Sequence, residues 1–218
     1  MTIHRTLHAT LLAASIAFGC AALPATASAA PAVTSSVAPT GADGLAFYAT
    51  SAMDEWTTYS RTGSTTARAA FDDIRDAVAA AAATRLGLDV AAMQAAWSNA
   101  DSAHQTALMA AFSELGTPYR RYTSTPGVGF DCSGLTSWAW AQAGVSIFHQ
   151  SRTQINDARA VTRETAQPGD LVYYPGHIAM YLGIDDAIIH APHTGRTVEV
   201  SFISKRRVNS VRFGDPTG

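Results

Sequence analysis

One cysteine and two histidines in this sequence are of types that can share a reaction: Cys132, His177 and His190. Cys132 stands in GVGFDCSGLTSWAW, between Asp131 and Ser133, directly ahead of a helix-compatible run that stops at Gly144. The thiolate is the reactive form of cysteine, and the unsatisfied N–H groups of a helix start lower a thiol pKa. Small neighbours, Ser133 and Gly134, let a substrate backbone approach. A thiol nucleophile needs a base, and the base needs a third group to orient it. His177 opens HIAMYLG and His190 closes AIIHA, with GIDD between them. A hairpin turning at GIDD pairs the two runs antiparallel and makes the two imidazoles neighbours on one sheet edge. A zinc site on the same three residues is the alternative, but it lacks a close-spaced ligand pair or a carboxylate pattern. The expectation is therefore thiol chemistry with no metal and no cofactor.

The elements that must hold these residues follow from the rest of the chain. Of 218 residues, 47% are hydrophobic and 15% charged, which fits a folded protein. The formal net charge of -2 gives no field that recruits nucleic acid. Arg5, the apolar run LLAASIAFGCAAL at 11–23 and the small residues Ala27-Ser28-Ala29 have the pattern of a secretory signal peptide over 1–29. Its removal takes Cys20 with it and leaves Cys132 without a sulfur partner, so no stable membrane insertion is expected afterwards. Residues 30–42 read as a flexible, proline-punctuated linker. An alanine-rich helical region is expected over 43–100, with Phe71, Ile74, Val78 and Ala81 at helical spacing and Gly87 as its stop. Asp89 and Asp101 can cap further helices, the second with Leu108, Ala111, Phe112 and Leu115 on one face and Gly116 at its end. From Gly169 onward DLVYYP, HIAMYLG, AIIHA, TVEVSF and VNSVRF read as short antiparallel strands. Helices followed by strands predict an α+β fold, a helix packed on an antiparallel sheet. Trp138 is expected to anchor the cysteine helix in the core. Lys205-Arg206-Arg207 reads as a solvated turn and His193 as solvent-facing.

Taken together, TPYRRYTSTPGVGFDCSGLTSWAWAQAG, QPGDLVYYPGHIAMYLG and IIHAPHTGRTVEV resemble the NlpC-type cell-wall cysteine peptidases, over roughly residues 103 to 214. The resemblance implies a circularly permuted papain-like fold, with the cysteine-bearing helix on an antiparallel sheet, in a catalytic domain taken as 101–218. It implies Cys132 as nucleophile, His177 as general base and then acid, and His190 as the residue that fixes the His177 tautomer. It implies that the Tyr119 hydroxyl lies near the oxyanion, and that Asp131 and Ser133 hold the free amino end of a peptidoglycan stem peptide. His149 falls in SIFHQS, where relatives carry a Leu-Pro-Arg or Leu-Pro-His stretch; Phe148 replaces the proline in a loop beside the cleft.

The function so implied is a secreted, wall-associated peptidoglycan hydrolase acting on stem peptides, with γ-D-glutamyl-meso-diaminopimelate as the favoured bond. An N-acetylmuramoyl-L-alanine amidase would use the same constellation. A non-catalytic wall-binding or regulatory protein is the rival of another class, and an intact thiol and histidine pair argues against it, because a binding module gains nothing from an exposed thiol that oxidises.

Overall fold

Each long helix begins on a residue that can cap it. In the computed structural model, which describes residues 43–218, Asp43 accepts from Leu45 N at the start of α1 (Gly44–Thr62). The expected signal peptide, the linker and Cys20 lie outside the described residues. Ser64 caps α2 (Thr65–Leu86), Asp89 caps α3 (Val90–Asn99) and Asp101 caps α4 (Ser102–Ser113). Gly87 ends α2 at φ 69°, a left-handed conformation that glycine adopts without penalty.

Helices α1 and α2 pack through alanines, with Ala49, Ala52, Ala79, Ala82 and Ala83 buried. Ala81, expected on that stripe, is exposed instead, because the buried face runs through Phe71, Arg75, Val78 and Ala82. Arg75 is tolerated there because it is fully paired. Its guanidinium meets Asp72 at 2.6 Å, Asp76 at 2.9 Å and Gln105 Oε1 at 3.0 Å. Gln105 in turn donates to the carbonyls of Trp97, Ser98 and Ala100, tying α4 to the end of α3.

The expectation of one apolar face on α4 is corrected. Every residue from His104 to Phe112 is buried, because α1 and α5 (Cys132–Gln142) both pack against it. Trp140, not Trp138, is the buried tryptophan of α5; Trp138 is only partly covered and tilts against Phe130.

A short pair, β1 (Ser124–Thr125) and β2 (Gly129–Phe130), leads into α5, and α6 (Ser151–Asp157) follows it. The main sheet holds β3 (Arg159–Val161), β4 (Leu171–Tyr174), β5 (His177–Tyr181), β6 (Ala187–His190), β7 (Glu199–Phe202) and β8 (Arg212–Asp215). Its order is β3-β8-β4-β5-β6-β7 and its pairings are antiparallel. The sequence reading did not find β3, which is three residues long and exposed along most of its length. It also began the last strand too early, since the stretch from Lys205 to Ser210 is a turn. Both faces of the central strands are covered. Leu171, Ile178, Met180 and Ile189 face the helices, whereas Val172, Ala179, Ile188 and Phe213 form a second cluster on the other side. The first cluster runs without interruption from α1 to β6, so the helical region and the sheet share one core.

Candidate active site

Asp131 closes the loop before α5 and caps it, with Oδ1 accepting from Gly134 N at 2.7 Å. Cys132 is therefore the first helical residue, and α5 packs on β5, the strand that His177 opens. The sulfur lies against β5, where the main-chain N–H of Ile178 hydrogen-bonds to its thiolate form. The N–H groups of Cys132 and Ser133 face it as well.

The thiol pKa differs from the helix-start expectation. Burial pushes it up, and the Ile178, Ser133 and Cys132 N–H groups offset this only in part, with the Asp131 carboxylate adding to the rise. The resting site therefore holds a neutral thiol.

Antiparallel pairing of β5 with β6, Met180 opposite Ile189, sets His177 and His190 diagonally on one face. His177 Nε2 and His190 Nδ1 are 2.8 Å apart, with ring planes 85° from parallel. Burial depresses the His177 pKa to about 4, and the nearby His193 adds to the shift. Burial also depresses His190, to about 3, helped by His177, Arg196 and His193. The pair is thus neutral at neutral pH. His193 is exposed, as expected, and still contributes to both shifts through space.

Three further groups around this row escaped the sequence reading. Ser201 Oγ lies 3.0 Å from His190 Nε2, and Glu199 Oε1 is 3.8 Å from the same nitrogen. Glu199 pairs directly opposite His190, and Ser201 sits one diagonal step along β7. Alternation within TVEVSF puts the two on one side of the strand, but only the register with β6 brings them to His190. The Tyr174 ring packs on His177 at 5.1 Å, and Arg207 of the basic turn lies over the Tyr174 ring, 5.4 Å from its centroid.

Tyr119 is half-buried and fixed by its main chain, N–H to the Arg196 carbonyl at 2.8 Å, with a bridge to Phe130. Burial raises its phenol pKa, and the charged form of Cys132 raises it further, so hydroxyl and sulfur share one field.

Asp131 and Ser133 line a separate hollow of about 270 Å³ with Tyr122, His149, Gln150 and Ser151. His149 Nε2 donates to Asp131 Oδ1 at 2.8 Å, which gives the SIFHQS loop a role that the sequence did not specify. Gly134 permits this approach, since a Cβ there would overlap the Thr123 carbonyl oxygen and sit 2.9 Å from His149 Nε2.

Behind the site, His104 of α4 donates one ring nitrogen to Asp101 Oδ2 at 2.8 Å. The other lies 3.0 Å from Asp170 Oδ1 and 3.6 Å from Asp215 Oδ1. Burial lowers the His104 pKa, but hydrogen bonds to Asp170 and Asp101 outweigh it and the net shift is upward. Among the described residues this trio alone brings three potential metal donors within 4.8 Å. Each donor already has a protein partner: Thr217 binds Asp215 Oδ1, Gln167 N binds Asp170 Oδ2, and Arg159 pairs with Asp215. The trio is a satisfied ion-pair network.

The sequence model of the NlpC/P60 family matches residues 116–214. A protein named dipeptidyl-peptidase 6 from Lysinibacillus sphaericus is 36% identical over 103 residues, 47% of this chain and 37% of that one. A γ-D-glutamyl-L-lysine dipeptidyl-peptidase from Bacillus cereus is 38% identical over 94 residues, 39% of this chain and 28% of its own. The peptidoglycan endopeptidase RipA of Mycolicibacterium smegmatis is 36% identical over 105 residues, covering 41% and 21%. The chain spans well under half the length of these three relatives.

Proposed function

From the premise that residues 116–214 form an NlpC/P60 domain, we propose that this protein is a secreted, wall-associated peptidoglycan hydrolase using a Cys132-His177-His190 thiol mechanism. The bond it cuts is an amide of the stem peptide, and γ-D-glutamyl-meso-diaminopimelate is the favoured one. The observation that carries the reading is the 2.8 Å contact between His177 Nε2 and His190 Nδ1, on the strand whose next residue contacts the Cys132 sulfur.

One set of tautomers serves the whole row. His177 carries its proton on Nε2 and donates to His190 Nδ1, while His190 donates from Nε2 to Ser201 Oγ. This leaves the His177 Nδ1 lone pair for the thiol proton. With thiol and imidazole both neutral at rest, His177 takes that proton as the sulfur attacks the amide carbon. The developing oxyanion is held by the Cys132 N–H and the Tyr119 hydroxyl. Imidazolium then protonates the leaving amine as the C–N bond breaks, giving a thioacyl-enzyme. Water attacks that thioester, His177 removes its proton, and the acid product and free thiol are regenerated. His190 acts as a neutral dipole that keeps the His177 proton on Nε2. Asp131 and Ser133 line the hollow that receives the N-terminal part of the stem.

Digestion of diaminopimelate-type muropeptides by the wild-type protein and by Cys132→Ala, read by mass spectrometry, tests the reading. Release of L-Ala-D-Glu or of stems lacking it, abolished in the variant, is expected. Intact stem peptides would instead make the protein an amidase. Equal cleavage by Cys132→Ala would remove the thiol mechanism.

A further inference from the structure

We infer that Arg207, on the basic turn between β7 and β8, receives the side-chain carboxylate of diaminopimelate on the leaving side of the scissile amide. It thereby favours diaminopimelate stems over lysine stems and over stems whose diaminopimelate is amidated. The inference deepens the peptidoglycan reading above and rests on it.

Lys205-Arg206-Arg207 is exposed, as a solvated turn should be, but the fold holds it in place. The Arg207 N–H donates to the Ser204 carbonyl at 2.8 Å, the Ser210 N–H to the Arg207 carbonyl at 2.7 Å, and Arg163 Nη2 to the Val208 carbonyl at 3.2 Å. Val208 packs on the second core cluster. The Arg207 guanidinium then lies 5.4 Å from the centroid of the Tyr174 ring, within the range of a cation–π contact. Arg159, Arg163 and Arg196 are ion-paired with Asp215, Asp186 and Glu199, whereas Arg207 has no acidic partner among the described residues. A guanidinium resting on a ring has given up part of its rotamer freedom before any ligand arrives. Its planar fork matches a carboxylate.

Tyr174 links this cation to the chemistry. Its ring centroid is 5.1 Å from that of His177. Burial raises the Tyr174 phenol pKa, the Arg207 charge lowers it and the charged form of Cys132 raises it, so the phenol lies in the field of both guanidinium and sulfur. Tyr174 and His177 line a hollow of about 400 Å³ that shares no residue with the hollow at Asp131. As the acid of the proposed mechanism, His177 faces the leaving nitrogen, so what packs on its ring meets the residue attached to that nitrogen. Diaminopimelate and lysine differ there by one group, a carboxylate on the ε carbon. That carboxylate lies about 7–8 Å from the scissile nitrogen along an extended chain. Such a reach passes across the Tyr174 ring from His177 to the guanidinium.

The test measures kcat/KM of the full chain on L-Ala-γ-D-Glu-meso-diaminopimelate, on its ε-carboxamide and on L-Ala-γ-D-Glu-L-Lys, together with binding of each to Cys132→Ala by calorimetry. The carboxamide keeps the shape of the acid and lacks its charge. The parent protein should prefer the acid about fivefold over both others, the size expected of a solvent-exposed charge pair. Arg207→Gln should bring the three substrates to within about twofold of one another. Arg207→Lys, which keeps the charge and loses the fork, should retain a preference of about twofold to threefold. Failure of the parent protein to prefer the acid over either of the others, a preference that survives Arg207→Gln, or an Arg207→Gln loss equal for all three overturns the inference and leaves the hydrolase reading standing. A preference for the acid in binding, with none of the three cleaved, would sink the hydrolase reading and leave the Arg207 contact standing. Neither binding nor cleavage of any of them would overturn both.

Discussion

His104 and His177 are buried in the same core, and their surroundings move their proton affinities in opposite directions. Burial works against the charged form of both. At His104 the carboxylates of Asp170 and Asp101 overcome it, so the pKa shifts upward and the ring links α4 to the sheet and its turns. At His177 the partner is another imidazole, which offers no negative charge, and the pKa falls to about 4. Burial sets the size of the electrostatic stake, and the partner sets its sign. The first site ties α4 to buried carboxylates. The second keeps a neutral imidazole, the state that the proposed general base needs.

The largest effect that would break this contrast is at His177. His177→Ala should lower kcat about 10³-fold, within the range for loss of a general acid–base, with little change in melting temperature. A variant keeping a tenth of the activity would show that the base is elsewhere.

His104→Ala should do the reverse. It takes the ring partner away from buried Asp170, while Asp215 keeps Arg159, and should cost about 1–3 kcal/mol in urea unfolding, with kcat of the folded fraction retained. A loss below about 1 kcal/mol would mean that the network adds nothing beyond packing.

The two sites also separate by pH. The folded His104 pKa is raised, so its stabilisation is complete below about 6.5 and is lost as pH rises through the folded value. The folded His177 pKa is depressed, so between about 4 and 6.5 the unfolded state binds more protons and stability is lost as pH falls. Activity requires neutral His177, so kcat/KM should hold down to an acid limb near 4. A limb at the ordinary histidine value would show that the ring is solvated in the working enzyme. The smallest change tested is Ser201→Ala, which removes the group 3.0 Å from His190 Nε2 and should cost about 1 kcal/mol of transition-state stabilisation, roughly fivefold in kcat.

Much of this was legible in the chain. The caps Asp89, Asp101 and Gly87, the hairpin at GIDD and the placement of Cys132 at a helix start follow from local chemistry, because caps and turns are satisfied within a few residues. The burial of α4 on all sides was not legible, because it depends on α1 and α5 arriving from distant parts of the chain. Trp138 was expected in the core in place of Trp140 for the same reason: both lie on α5, and a neighbour of Trp140, the His104 ring at 4.9 Å, comes from another helix.

By itself the sequence determined which residues are chemically able to act: a thiol before a helix, two histidines at the two ends of a hairpin, and a polar loop ahead of them. Only the tertiary structure decided their state. The packing of α5 against β5 desolvates the thiol and raises its pKa, the register of β6 with β7 supplies Ser201 to His190, and the return of the SIFHQS loop sets His149 on Asp131. Residue type fixes what a group can do. The dielectric and the partners that fix what it does come from segments far away in sequence.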